Sequence, residues 1–219
     1  MDEPALVYIV DDDRGVRDSL SLLLKSVGIE NRSFESAAEF LEGYEPDRIG
    51  CLVADIRMPG MSGLELQQEL NRRQMALPLI FITGHGDVPM AVGAMKLGAM
   101  DFLTKPFRDQ ELLDRVDAAL GRARAEFDRQ QRTLEVRARY ESLTPRETEV
   151  MAMVVKGSAN KVIAMDLGVS QRTIELHRAR VMQKMGARSL AELVRLAELL
   201  SSARSEPGAL SSAAARRSP

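Results

Sequence analysis

LVYIVDDD, residues 6–13, joins five strand-forming residues directly to three aspartates. A short apolar run that ends at turn-forming residues is typical of a buried strand. Similar runs lie at 51–54, 79–82 and 100–103, with a weaker one near 29–34. Segments with helical periodicity separate them, at 14–27, 36–42, 63–73, 87–97 and 109–125. The first half of the chain is therefore predicted to alternate five strands with five helices.

This strict alternation predicts one parallel sheet with helices on both faces, a doubly wound α/β fold. In such sheets ligands bind outside the carboxyl ends of the strands. The polar residues of the first half lie at those ends: Asp11, Asp12 and Asp13 after the first strand, Asp55 after the third, Thr83 after the fourth and Lys105 after the fifth. We expect them to meet in one pocket.

The pocket combines clustered carboxylates with a lysine and a threonine. Carboxylates crowded into one site repel each other unless a cation neutralises them, and hard oxygen ligands favour Mg²⁺. Lys105 would balance the charge of an incoming phosphoryl group, and Thr83 can donate a hydrogen bond to it. This set supports phosphoryl transfer onto a carboxylate. Each residue alone has a simpler interpretation, and Asp13 in particular suits a helix N-cap.

Four motifs, VDDD at 10–13, DIRMPG at 55–60, ITGHG at 82–86 and FLTKPF at 102–107, closely resemble the receiver domains of two-component response regulators. The resemblance covers roughly residues 5–122 and implies the flavodoxin-like form of the predicted sheet. It also implies that a sensor histidine kinase phosphorylates Asp55. Mg²⁺ would be held by Asp11, Asp12, Asp55 and the backbone carbonyl of Arg57.

The same resemblance assigns roles to the ends of the fourth and fifth strands. Thr83 and Lys105 would bind the phosphoryl group, and a cis peptide would join Lys105 to Pro106. Phe102 occupies the place of the aromatic switch residue, whose rotamer follows phosphorylation. The receiver would catalyse only its own phosphotransfer and dephosphorylation, so the chain is not otherwise expected to be an enzyme.

The charge of the chain is divided unevenly. Residues 1–120 hold 12 Lys+Arg against 21 Asp+Glu, whereas residues 121–219 hold 18 against 11. An acidic half and a basic half suit a metal or phosphate site in the first and a polyanionic partner for the second. No apolar run approaches the roughly 18 residues of a membrane helix, and Cys51, the single cysteine, allows no intrachain disulfide. We expect a cytoplasmic protein without a membrane partner.

A helical linker is predicted after Gly121, because residues 122–144 contain no glycine or proline and many helix formers. Phe127, Leu134 and Ala138 fall on one stripe of this helix. Two interpretations stay open for the linker: a solvated spacer, or a surface for dimer or interdomain contact.

The remaining residues predict four helices. TPRE at 144–147 is a capping box with proline at the first helical position, and Gly157 ends that helix. A short helix from Ser158 or Asn160 stops at Gly168, a longer one runs from Ser170 to near Gly186, and Ser189 with Glu192 caps the fourth. A short helix, a tight turn and a longer helix form the helix-turn-helix pattern. Residues 204–219, rich in Ser, Ala and Arg, are predicted to be disordered.

The longer helix is the candidate recognition helix for the major groove. Ile174, Val181 and Met185 form its apolar stripe, so base-reading residues are expected on the other side. The residues on or near that side are Arg172, Glu175, Leu176, Ala179 and Gln183. Side chains suited to hold phosphates are Lys161, Ser170, Thr173, Arg178, Arg180 and Lys184.

LTPRE at 143–147, Asn160-Lys161 and RTIELH at 172–177 are similar to the LuxR-type helix-turn-helix of the NarL/FixJ subfamily. The predicted organisation is a receiver at 1–121, a linker at 122–140, an all-α four-helix DNA-binding domain at 141–203 and a tail at 204–219. The resemblance implies transcription control through double-stranded promoter DNA and homodimerisation on phosphorylation. RNA polymerase is a candidate further partner.

Two other functions compete with this interpretation. Phosphatases of the aspartyl-phosphate class also use Mg²⁺ and an aspartate nucleophile, but their Asp-x-Asp motif follows the first strand, whereas the lone Asp55 follows the third. The second rival is a regulator that acts by protein contact or on RNA. The candidate recognition helix, which suits the major groove of DNA, argues against it.

Overall fold

The computed structural model describes residues 5–46, 48–84 and 88–205 of the chain. It divides the chain into two compact units, Met1–Phe127 and Asp128–Pro219. The predicted disordered tail lies almost wholly outside the described residues, which end at 205.

The first unit alternates strands and helices as predicted. Its strands are β1 (Leu6–Val10), β2 (Glu30–Phe34), β3 (Gly50–Asp55), β4 (Leu79–Thr83) and β5 (Asp101–Thr104). Its helices are α1 (Arg14–Ser26), α2 (Ala37–Gly43), α3 (Gly63–Arg72), α4 (Val88–Lys96) and the first part of α5 (Asp109–Glu141). The strands form one parallel sheet in the order β2-β1-β3-β4-β5.

Side chains alternate along each strand, so every strand contributes to both faces of the sheet. Both faces are buried. On β1, Leu6, Tyr8 and Val10 enter one core, whereas Val7 and Ile9 enter the other. Helices α2, α3 and α4 cover the first face, and α1 and α5 cover the second. Full burial of one large apolar side chain contributes about 1.5–3 kcal/mol, so these two cores hold the strand ends in place.

Gly63 allows α3 to begin close to the end of β3. A Cβ atom at this position would lie 2.3 Å from the backbone oxygen of Asp55 and 2.9 Å from the Cα of Ile56. The Gly63 amide donates a hydrogen bond to the Ile56 carbonyl at 2.8 Å. The segment that follows Asp55 is therefore packed against the first turn of α3.

The second unit contains α6 (Pro145–Val155), α7 (Asn160–Asp166), α8 (Gln171–Met185) and α9 (Leu190–Ser205). The predicted capping box between Thr144 and Glu147 is present, and Gly186 ends α8 in the left-handed conformation, at φ 69°. Val136 of α5 is buried in the core of this unit, against α6, α8 and α9. The four predicted helices are confirmed.

Residues 122–140 all lie within α5, as expected for a helical linker. Along the predicted stripe, Phe127 is half-buried, whereas Leu134 and Ala138 are exposed. Whether this stripe forms a dimer or interdomain contact stays a prediction.

Candidate functional sites

The predicted pocket residues share one edge of the sheet because the strands end at nearly the same level. The register pairs Val10 with Ala54, Asp55 with Ile82, and Thr83 with Thr104. Asp11 directly follows β1 and Asp55 ends β3. The two carboxylates are brought together although 44 positions separate them along the chain.

Three of the carboxylates form a cluster. Asp11, Asp12 and Asp55 each offer an oxygen, and these oxygens lie within 4.8 Å of one another. The Asp11 side chain is fully buried, Asp55 is half-buried and Asp12 is exposed. A set made only of carboxylate oxygens suits a hard cation such as Mg²⁺, which binds proteins through few carboxylates and keeps several waters. The residues present therefore fit the metal.

Lys105 supplies the positive charge of the pocket. Its ammonium lies 2.8 Å from Asp11 Oδ2 and 3.1 Å from Asp55 Oδ2. Burial lowers the pKa of Lys105, but the hydrogen bonds and charges of Asp11 and Asp55 outweigh it, so the pKa is raised. Burial raises the pKa of Asp11, and the contact with Lys105 only partly opposes it. Lys105 thus stays charged, and its charge partly offsets the cost of burying the Asp11 carboxylate.

Asp13 does not belong to the cluster. Its carboxylate accepts hydrogen bonds from the amides of Gly15 at 2.7 Å and Val16 at 3.3 Å, and so caps α1. The simpler interpretation of this residue holds. Its own amide donates to Asp11 Oδ1 at 2.9 Å, which ties the cap to the pocket.

The ends of β4 and β5 adjoin the pocket. Thr83 is buried at the end of β4, and its carbonyl accepts a hydrogen bond from the Lys105 amide at 2.8 Å. The predicted cis peptide between Lys105 and Pro106 is confirmed. Phe102 pairs with Phe81 in the sheet and is half-buried against the first core. Of the motif at 82–86, residues 85 and 86 lie outside the described residues.

The candidate recognition helix α8 presents the predicted faces. Ile174, Val181 and Met185 are completely buried. At 100° per residue, the opposite ridge consists of Arg172, Leu176, Ala179 and Gln183, all of them exposed. Leu176 is 53% exposed. The ridge therefore offers two apolar residues between an arginine and a glutamine.

The other predicted DNA contacts differ in exposure. Lys161, Ser170, Glu175 and Arg180 are exposed, whereas Thr173, Arg178 and Lys184 are half-buried. The Ser170 hydroxyl accepts a hydrogen bond from the Thr173 amide at 3.1 Å and caps α8. Arg178 Nη1 donates to Asn160 Oδ1 at 3.1 Å, which links α8 to α7.

Lys184 is bound inside its own domain. Its ammonium lies 2.7 Å from Glu147 Oε2 and donates to the Ser142 carbonyl at 3.0 Å. The Glu147 side chain is almost completely buried, and the hydrogen bonds from Lys184 and from the Thr144 amide lower the pKa of Glu147 to about 2. A phosphate contact by Lys184 stays a prediction, but these contacts favour a structural role. Sequence patterns could not reveal this pair because 36 residues separate its members.

A second residue missed from sequence is Arg17 of α1, whose guanidinium contacts the backbone of Asp11 and Asp12. From the sequence, Arg17 is one more arginine of a predicted helix, and such residues are usually exposed to solvent.

Within the described part of the chain, no helix combines the length and apolar character needed to cross a membrane.

Two family models match the chain. Residues 7–117 match the response regulator receiver domain, and residues 141–197 match the bacterial regulatory proteins of the luxR family.

Similar proteins of known identity align with nearly the whole chain. The transcriptional regulatory protein FixJ of Azorhizobium caulinodans is 51% identical over 91% of this chain and 94% of its own length. Nodulation protein W of Bradyrhizobium diazoefficiens is 50% identical over 90% of this chain and 86% of its own. The solved response regulator StyR superposes with a TM-score of 0.82 at 44% identity, covering 90% of this chain and 99% of that one.

Full-length FixJ from B. japonicum also matches, with a TM-score of 0.54 at 44% identity over 90% of this chain and 97% of that one. The carboxylate pocket of the first half and the helices of the second fit the two family models, and the relatives align with both halves. The chain belongs to the two-component response regulators of the NarL/FixJ type, which join a receiver to a LuxR-type DNA-binding domain and regulate transcription.

Proposed function

We propose that Asp55 accepts a phosphoryl group from a sensor histidine kinase and that this modification controls binding to promoter DNA. The observation that carries the proposal is the placement of Lys105, which lies within 3.1 Å of Asp55 and 2.8 Å of Asp11. The phosphoryl dianion and the attacking Asp55 carboxylate repel each other. The positive charge of Lys105 and a metal ion held by Asp11 would offset this repulsion.

In the transfer, a carboxylate oxygen of Asp55 attacks phosphorus, the nitrogen–phosphorus bond of the kinase phosphohistidine breaks, and the imidazole keeps the electron pair. The Lys105 ammonium and the Thr83 hydroxyl bind phosphoryl oxygens as the charge redistributes. Asp11, Asp12, Asp55 and the Arg57 carbonyl would hold Mg²⁺, which when bound neutralises the carboxylates and polarises the phosphoryl group. The same residues support slow hydrolysis of the phosphoaspartate, the receiver's own dephosphorylation.

The output begins at Phe102 in this proposal. Phosphorylation draws Thr83 towards the phosphoryl group and lets the Phe102 ring repack, which changes the surface formed by β5 and its flanking helices. Val92, 45% exposed, and Lys96 lie one turn apart on α4 and are the candidate contacts of a homodimer. A dimer binds two half-sites about one helical turn apart and so gains affinity that one domain lacks.

The DNA-binding domain reads bases through the exposed ridge of α8 and the exposed Glu175 beside it. Arg172 suits guanine, Glu175 suits cytosine N4, and the apolar Leu176 and Ala179 suit the thymine methyl group. Phosphate contacts are assigned to Lys161, Ser170, Thr173, Arg178 and Arg180. The kinase partner and promoter DNA place the protein in the cytoplasm, where RNA polymerase is a further partner at the bound promoter.

The phosphoacceptor is tested with acetyl phosphate and Mg²⁺ on the full chain, with intact-mass and peptide mapping of the acyl phosphate. We expect one phosphoryl group on wild type and none on Asp55→Asn. Asp18→Asn, an exposed aspartate of α1, is the matched control and should be labelled as wild type. Full labelling of Asp55→Asn would contradict the assignment.

A further inference from the structure

Arg17 ties the acidic loop after β1 to helix α1. Its Nη1 donates to the carbonyl oxygen of Asp11 at 2.7 Å and to that of Asp12 at 3.0 Å. The side chain is half-buried. One guanidinium nitrogen thus binds two consecutive peptide groups, and these belong to the residues that supply two of the three clustered carboxylates.

We infer that Arg17 is a positioning residue of the pocket that holds Asp11 and Asp12 ready for a divalent cation. The inference rests on the proposed function, because that function requires Mg²⁺ at these carboxylates. Arg17 touches neither the metal nor the phosphoryl group in this role. It acts through the backbone of the two aspartates.

The need for such a residue follows from the charges. Without a bound divalent cation, the carboxylates of Asp11, Asp12 and Asp55 repel each other, and repulsion drives flexible groups apart. The Asp11 side chain is restrained by Lys105 and by the amide of Asp13. Asp12 is exposed, and the bond from Arg17 to its carbonyl fixes the peptide that carries it. Charge-assisted hydrogen bonds are about twice as strong as neutral ones, so the loop resists spreading.

Arg17 could instead act only as a nearby positive charge, and the two roles have opposite consequences. A positive charge repels Mg²⁺, so removing it would tighten Mg²⁺ binding. A positioning residue lowers the cost of assembling the ligands, so removing it would weaken Mg²⁺ binding, and loss of such outer contacts typically costs about 10- to 100-fold in metal affinity. The sign of the change therefore separates the two roles.

The matched control is Arg14, one turn earlier on the same helix. Its side chain is 86% exposed and lies 3.5 Å from exposed Asp18. Arg14→Met removes the same charge from the same helix without touching the carbonyls of Asp11 and Asp12. Arg17→Lys keeps the charge while its single ammonium replaces the planar guanidinium, so it should weaken binding less than Arg17→Met.

The experiment titrates Mg²⁺ into the unphosphorylated full chain by calorimetry at fixed ionic strength. We expect Arg17→Met to weaken binding by about 10- to 100-fold, Arg17→Lys to fall between it and wild type, and Arg14→Met to bind as wild type or more tightly. If Arg17→Met does not fold, Arg17→Lys and Arg17→Gln carry the same test. If the Arg17 variants bind Mg²⁺ as tightly as Arg14→Met does, the inference is overturned but the proposed function is not. Lack of Mg²⁺ binding by wild type would overturn the proposed function as well.

Discussion

The Lys105 ammonium lies 2.8 Å from Asp11 Oδ2, and the Asp11 side chain is only 1% exposed. A buried carboxylate that loses the ammonium hydrogen-bonded to it must either lose stability or take up a proton. Burial already raises the pKa of Asp11 while Lys105 opposes the rise. Loss of Lys105 should therefore raise this pKa further.

Lys105→Met should become less stable as the pH rises. A carboxyl whose pKa is higher in the folded than in the unfolded state contributes stability below its unfolded pKa and loses it as the pH rises through the folded pKa. Thermal unfolding without metal, from pH 4.5 to 8, should show a larger fall for Lys105→Met than for wild type. Lys25→Met, an exposed lysine of α1, is the control. Parallel curves for Lys105→Met and the control would contradict the dependence of Asp11 on Lys105.

Arg172→Ala should lose sequence discrimination, because Arg172 begins the exposed ridge of α8. Loss of a base contact costs about 1–3 kcal/mol at one position of the site. Arg180→Ala, the same substitution beside the ridge, should instead weaken binding to all DNA and lower the salt slope by about one. Titrations over a range of salt on a selected operator and on random duplex measure both effects. Equal losses on the two duplexes for Arg172→Ala would exclude base reading by this residue.

Lys184→Met should destabilise the DNA-binding domain rather than remove a phosphate contact. A buried group left without its partner costs about 1–3 kcal/mol, and Glu147 would lose the ammonium 2.7 Å away. Because the pKa of Glu147 is lowered from 4.5 to about 2, its contribution is present above pH 4.5 and is lost as the pH falls towards 2. Wild type should therefore lose more stability over this window than Lys184→Met.

The measurement is thermal unfolding followed by circular dichroism, with the DNA-binding domain identified as the transition that DNA shifts. Lys161→Met, an exposed lysine of α7, is the control. If Lys184→Met kept wild-type stability but lowered the salt slope of DNA binding, Lys184 would be a phosphate contact after all.

Val92→Asp should prevent dimerisation through α4. Val92 is 45% exposed and its neighbour Met95 46%, so a charge placed there would be buried in a dimer without a partner. The mass in solution of wild type should double with the phosphate mimic beryllofluoride, and that of Val92→Asp should not. Leu22→Asp, on an exposed face of α1, should dimerise as wild type. A wild type that stays monomeric with the mimic while binding DNA more tightly would point to release of an inhibitory contact.

Local patterns were sufficient for most of the fold. Buried strands such as β1 and β4 are continuous apolar runs, and the capping box at Thr144 marks the start of α6. Errors fell where the local signal is weak. The fifth strand begins at Asp101 instead of residue 100. Helix α7 begins at Asn160, one of the two predicted starts, although its N-cap residue Ala159 makes no side-chain hydrogen bond.

The candidate sites were likewise predictable only in part. The convergence of Asp11, Asp55 and Lys105 follows from the topology of a parallel sheet, and the motifs made it predictable. The contacts of Lys184 with Glu147 and of Arg17 with the loop carbonyls depend on side-chain placement between distant segments or onto backbone atoms. No periodicity or spacing encodes such contacts.

The control of DNA binding by phosphorylation is tested most directly by the affinity of the full chain for one selected operator, with and without beryllofluoride and Mg²⁺. We expect the mimic to tighten binding by wild type and to leave Asp55→Asn unchanged, with Asp18→Asn responding as wild type. The same affinity for wild type in both conditions, or an equal gain for Asp55→Asn, would contradict control through Asp55.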